Sequence, residues 1–160
     1  SDRSIQYEVP DAVTCLACHQ QSGASTPLGP ELRHLNFDVE RDGVVLNQLR
    51  YLTESGAMAE VDPSTVAAAV NYLDSTIPIS DRGRAYLDMN CAHCHSPNAW
   101  ERSAGQGFDF RIETPLSDTG ILQEERGIAR NVREGLMPFL GTTIIDEEGR
   151  ELLLAYLENN

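Results

Sequence analysis

Two copies of one pentapeptide constrain this chain more than any other feature. Cys15-Leu16-Ala17-Cys18-His19 and Cys91-Ala92-His93-Cys94-His95 lie 76 residues apart, and together they use all four cysteines. Each reads C-x-x-C-H, the spacing at which two thiols add to the vinyl groups of a haem while the following imidazole ligates its iron. Two thioethers on one turn fix the porphyrin edge, and the adjacent histidine is carried beneath the metal. A zinc ribbon would need its C-x-x-C pairs only about 15 to 20 residues apart. A thioredoxin-like redox pair would need surrounding βαβ strands, which neither copy has. Neither alternative accounts for the histidine that closes both copies.

The motif repeat divides the 160 residues into two expected domains, 1–77 and 78–160. Units of that size are near the limit at which a protein core suffices. With four Phe, one Trp and five Tyr in the chain, each half is expected to use its haem as the core. The expected cofactors are thus two covalently attached haem c groups, held by Cys15, Cys18 and His19 and by Cys91, Cys94 and His95.

A formal charge of −13 argues against nucleic acid or an anionic membrane surface as partner and implies a basic or neutral docking surface. No run of 18 or more apolar residues is present, so no membrane span is expected. Ser1-Asp2-Arg3-Ser4 does not resemble a signal peptide. Thioether attachment takes place outside the bacterial cytoplasm, which implies a periplasmic or secreted protein. Other domains of a longer chain are among the expected partners.

Along the chain, Pro10 argues against a helix running into the first motif, and residues 1 to 14 are expected to be extended. Val45, Leu46, Leu49 and Leu52 predict a helix over 44–55 that stops at Gly56, with Met58 two residues beyond. Asp62 and Pro63 predict the start of a helix over 63–74, with Val66, Ala69, Val70 and Leu73 inward. Ser80 is expected to cap a helix over 81–90 that buries Ala85, Tyr86 and Met89 and delivers Cys91. Residues 100 to 121 read as loop. A charged helix over 124–134 is expected to place Ile128 and Val132 on one side and end at Gly135, with Met137 two residues beyond. A last helix over 146–158 is expected to bury Leu152, Leu153, Tyr156 and Leu157.

The halves therefore repeat: C-x-x-C-H, a loop, a helix closed by Gly, a Met two residues on, and a terminal Tyr-Leu. The offset grows from 76 at the cysteines to 79 at Met58 and Met137 and 84 at Tyr72-Leu73 and Tyr156-Leu157.

In this order of features the chain resembles a tandem of class I cytochrome c domains. The resemblance is closest in the second half, where Gly83 and Tyr86 lead into Cys91, His95 follows, and Met137-Pro138 precedes the last helix. It implies an all-α fold of two domains, each wrapped around one haem. In the second half a C-terminal helix crosses the helix before the motif, whereas the first half departs from the family pattern by lacking a helix before Cys15. It implies His19 and His95 as proximal ligands and Met58 and Met137 as distal ones. His34 is the rival for the first haem. Gly29-Pro30-Glu31-Leu32 resembles the family segment whose proline carbonyl accepts from the proximal imidazole, which would put His34 on the wrong face. Pro115 is the corresponding acceptor for His95. Met89 reads as core filler and His93 as solvent-facing, and Arg50, Tyr51, Trp100 and Arg111 are propionate-bonding candidates. Asn90 to Pro97, with Pro115-Leu116 and Thr119-Gly120-Ile121, is also similar to the haem module of certain secreted bacterial multidomain proteins, some of which carry carbohydrate-acting domains.

The expected function is single-electron transfer between extracytoplasmic redox partners rather than enzymatic turnover. A secreted copper oxidoreductase acting on polysaccharide is one acceptor that the second resemblance implies. A dihaem peroxidase would also carry two such motifs but needs a displaceable sixth ligand. A haem-based sensor in which Met58 dissociates is the other alternative.

Overall fold

The computed structural model of the protein describes residues 9, 11–97, 99, 107–138 and 146–159. These fall into two compact units, Gly29–Val70 and the described residues before and after it. This division follows packing, and it differs from the halves 1–77 and 78–160 that the motif repeat marks.

In the larger unit, helix α1 spans Ala12–His19 and carries the whole first motif. The expected extended approach is not what residues 12–14 adopt. Asp11 caps the helix by accepting from the Thr14 amide at 2.7 Å; Pro10, on which that expectation rested, lies outside the described residues. Short strands β1 (Gln20–Gln21) and β2 (Ala24–Ser25) follow, joined at Ser22-Gly23. Helix α4, Ile79–Asn90, leads into the second motif. Helix α5 is Ile121–Arg133, and helix α6 is Glu147–Glu158, capped by Asp146 through the Gly149 amide at 3.0 Å.

Helices α4 and α6 pack where each presents a glycine to the other's tyrosine. A Cβ on Gly83 would collide with Tyr156, and one on Gly149 would collide with Tyr86 and Asp146. Bare backbone at these two points permits the close approach. Leu87, Phe110, Ile121, Ile128, Leu153, Tyr156 and Leu157 fill the core around it. The expected stripe of α6 is buried in full. On α4, however, Gly83, Arg84, Leu87 and Asp88 are buried with Ala85, while Met89 is 41% exposed and fills no core.

The smaller unit contains helix α2 (Leu32–Leu35), hairpin β3 (Asp38–Arg41) and β4 (Val44–Asn47), helix α3 (Gln48–Glu54) and a 3-10 turn at Pro63–Thr65. The expected helix over 44–55 is half strand. Asp42 and Gly43 both take positive φ, 52° and 80°, and fold Val44–Asn47 back on Asp38–Arg41. Such a two-residue turn matches the twist of the strands it joins. Asn47 then starts α3, its Oδ1 accepting from the Leu49 amide at 3.0 Å.

The helix expected over 63–74 stops after its first turn. Asp62 caps it through the Ser64 amide at 2.9 Å, but Asn36 Nδ2 takes the carbonyls of Pro63 and Val66 at 3.0 and 2.6 Å. The Ala69 amide donates to Arg33 O at 3.0 Å instead of to Thr65. Backbone groups a helix would pair internally are thus spent on α2. Tyr72, expected on this helix, belongs to the larger unit, where its hydroxyl donates to Asp146 at 2.9 Å and its ring meets Tyr86 edge-on. Leu49 is the one fully buried apolar side chain of the smaller unit among its described residues.

Candidate functional site

The second motif forms a tight turn off the end of α4. The Cys91 amide donates to Leu87 O at 2.9 Å, and the Cys94 and His95 amides both donate back to Cys91 O, at 3.1 and 2.9 Å. One carbonyl thus gathers Cys91, Cys94 and His95. Burial pushes the Cys91 thiol up to about 12, so it is a protonated thiol at neutral pH and not a ready metal thiolate. Cys91 is in no disulfide.

The His95 ring lies 5.1 Å from Phe110 and 5.7 Å from Phe108, centroid to centroid. Burial first, and the neighbouring His93 second, hold its pKa below the ordinary value, so the imidazole is neutral. Its Nδ1 is buried with no hydrogen-bond partner among the described residues. Pro115, the expected acceptor, gives its carbonyl to the Asp118 amide at 2.8 Å. A neutral, half-buried imidazole beside two cysteines fits the proximal place on a haem.

The first motif is displayed differently. Cys15, midway along α1, and His19, its last residue, are exposed, and the Cys18 side chain lies outside what the structure describes. His19 Nδ1 lies 3.2 Å from Thr26 O, while the Thr26 amide returns a 2.5 Å bond to His19 O. A carbonyl can only accept, so Nδ1 carries a proton, and Nε2 is the nitrogen left to face a ligated iron. Thr26, rather than the expected Pro30, is the carbonyl at this histidine. His93 is half-buried rather than solvent-facing, and its pKa is lowered by burial and then by His19.

The two methionines sit on matching helix ends. After α3, the amides of Ser55, Gly56, Ala57 and Met58 donate to the carbonyls of Tyr51, Thr53, Leu52 and Leu52. After α5, those of Glu134, Gly135, Leu136 and Met137 donate to Arg130, Val132, Asn131 and Asn131. Every donor and acceptor of the first set recurs 79 residues later in the second. Gly56 and Gly135 take the left-handed φ that this helix end requires, 74° and 69°. Both methionines are half-buried.

His34, the rival ligand, is engaged in capping α2: its Nδ1 accepts from the Glu31 amide at 3.3 Å. Of the propionate candidates, Arg50 pairs with Glu54 at 2.7 Å, Tyr51 lies under the Arg41 guanidinium at 4.1 Å, Arg111 is held by Asp109 at 2.6 Å, and Trp100 lies outside the described residues.

Sequence reasoning missed Arg84 and Asp88, charged yet 9% and 6% exposed on the inner face of α4. Their i, i+4 spacing beside Leu87 was the available signal. Arg84 Nη2 donates to the carbonyls of Arg111 and Thr114 at 2.7 and 2.9 Å, and Asp88 accepts from the Ile112 amide at 2.9 Å.

Among the described residues no group of three or more His, Cys, Asp or Glu is placed to hold a bare metal ion. A haem brings its own four nitrogens and asks the protein for axial ligands only. No helix among those residues is long and apolar enough to cross a membrane. No protein-family model, no curated protein and no solved structure matches the chain.

Proposed function

We propose that this chain is a dihaem c-type cytochrome that carries single electrons between extracytoplasmic redox proteins. On this reading each half is a helical module of class I type, with the two short hairpins as additions to the first. Cys15 and Cys18 hold one haem and Cys91 and Cys94 the other, with His19 and His95 as proximal and Met58 and Met137 as distal ligands. Bound haem supplies an iron that gains or loses one electron with no substrate at the metal, and His/Met ligation favours the higher range of potentials.

The observation that carries the reading is the coincidence of two repeats. The C-x-x-C-H motif recurs in sequence, and behind each copy a methionine recurs on the same backbone hydrogen-bond pattern. The Gly-closed helix end is itself a common terminus; what supports the reading is that a methionine stands at the same place on it behind each C-x-x-C-H copy. The protein's own residues then act as holders. Thr26 holds His19 through its Nδ1, and Phe108 and Phe110 pack against the His95 ring.

The charge of −13 favours a basic or neutral partner in a periplasmic or secreted setting. A copper oxidoreductase acting on polysaccharide is a candidate acceptor. Stopped-flow reduction of a basic acceptor, followed against ionic strength, tests the carrier role. The rate is expected to fall as salt screens attraction beyond about 10 Å at 0.1 M. Sustained peroxide turnover with a specific donor would instead make the chain an enzyme.

A further inference from the structure

We propose that Arg84 and Asp88 are positioning residues for His95, acting through the loop 109–114; the spectroscopic part of this proposal rests on the haem reading above. The two side chains lie one helical turn apart on the buried face of α4, and both are more than nine-tenths buried. They spend their hydrogen bonds on the main chain of the loop. Arg84 holds the carbonyls of Arg111 and Thr114, and Asp88 holds the amide of Ile112.

The loop is closed on itself by Asp109, whose carboxylate accepts from Arg111 Nε and Nη2 at 2.8 and 2.6 Å and from the Thr114 hydroxyl at 2.7 Å. It is tied at its other end by the Asp109 amide, which donates to Thr119 O at 3.1 Å. What this frame delivers is Phe110. Its amide donates to His95 O at 2.9 Å, and its ring, stacked on Phe108, stands 5.1 Å from the imidazole. The helix that leads into Cys91 therefore also fixes, from Asp88 and from Arg84 one turn before it, the wall against which His95 rests.

Burying a guanidinium and a carboxylate to hold three backbone groups is a poor way to gain stability alone, because desolvation offsets most of the attraction. Arg84 even leaves its Nη1 buried without a partner among the described residues. Fixed geometry at His95 is the return. Ligand orientation of this kind ordinarily depends on such supporting contacts, and losing one costs about 10- to 100-fold in affinity or activity at metal sites.

The test uses the holoprotein and compares Asp88→Leu, which removes the acceptor for the Ile112 amide, with Asp88→Asn, which keeps an acceptor oxygen and loses the charge. Haem content is measured first, by haemochrome on each protein. The low-temperature EPR signals of the two oxidised haems are then recorded. In Asp88→Leu the signal of the His95 haem is expected to broaden or split while that of the His19 haem stays unchanged. Asp88→Asn is expected to restore the wild-type line shape. Thr114→Val, a milder change on the same frame, should broaden the same signal to a smaller degree and decides the matter if Asp88→Leu does not fold. A wild-type His95 signal in Asp88→Leu, or in Thr114→Val when that variant is the arbiter, overturns the proposal. A wild-type protein without two haems overturns the haem reading instead.

Discussion

Replacing Gly83 by alanine should destabilise the protein, although the same change in an open helix stabilises it. Alanine in place of glycine within a helix gains about 0.8–1.0 kcal/mol from reduced backbone freedom in the unfolded chain and better propensity. At position 83 the new methyl group would meet Cβ, Cγ and Cδ1 of Tyr156. Those atoms stand at the root of a side chain only 1% exposed, so no rotamer change clears them and α6 itself must shift. Overpacking of this kind costs about 1–3 kcal/mol. At the upper end, after the propensity gain is subtracted, a net loss of about 2 kcal/mol remains. Gly127, inside α5, is the internal control. There a Cβ would meet only Glu124 Oε2, at 3.1 Å, the far end of a chain that can swing away. Gly127→Ala should therefore gain about 1 kcal/mol. The assay is urea unfolding of the holoprotein followed by far-ultraviolet circular dichroism, with midpoints compared at constant slope. A Gly83→Ala protein that gains stability as Gly127→Ala does would refute the close helix crossing.

Two further outcomes follow from the site. Met137→Ala and Met58→Ala should each remove part of the weak near-infrared sulfur-to-iron absorption of the oxidised protein and lower one of two midpoint potentials; if His34→Ala does so and Met58→Ala does not, Met58 is not a ligand. Asp109 is held down to about 2 from its ordinary 3.8, chiefly by its hydrogen bonds from Arg111. Its contribution to stability is therefore complete above pH 4 and is lost as pH falls through about 2. Amide exchange at 109–114 should accelerate in that window, and Asp109→Asn should show no such acid step.

What the sequence revealed and what it hid have distinct physical causes. Asp146 and the Leu152, Leu153, Tyr156, Leu157 stripe were legible because capping and helical periodicity act within a few residues. The two Gly-x-Met helix ends were legible for the same reason, since a left-handed helix terminus nearly demands glycine. The hairpin was announced by Asp42-Gly43, yet Val45, Leu46, Leu49 and Leu52 also fit helical spacing, and the pairing of Val44–Asn47 with Asp38–Arg41 took precedence. The missing helix after Pro63 depends on Asn36, 27 and 30 residues away from the carbonyls it takes. For Arg84 and Asp88 the only local signal was their i, i+4 spacing beside Leu87, because the groups they bind arrive from a loop 24 to 30 residues further on. Long-range backbone partners leave no local pattern to read.

The most direct measurement of the central claim is the haem content of the protein purified from a host able to attach haem c. Intact mass spectrometry is paired with a haemochrome assay on the acid-acetone-extracted, denatured protein. The account predicts the polypeptide mass plus two haem groups, with both retained through extraction. Replacing Cys15 and Cys18 by serine, or Cys91 and Cys94, should each leave one. A wild-type protein that carries a single haem, or haem that extracts freely into acid acetone, would contradict it.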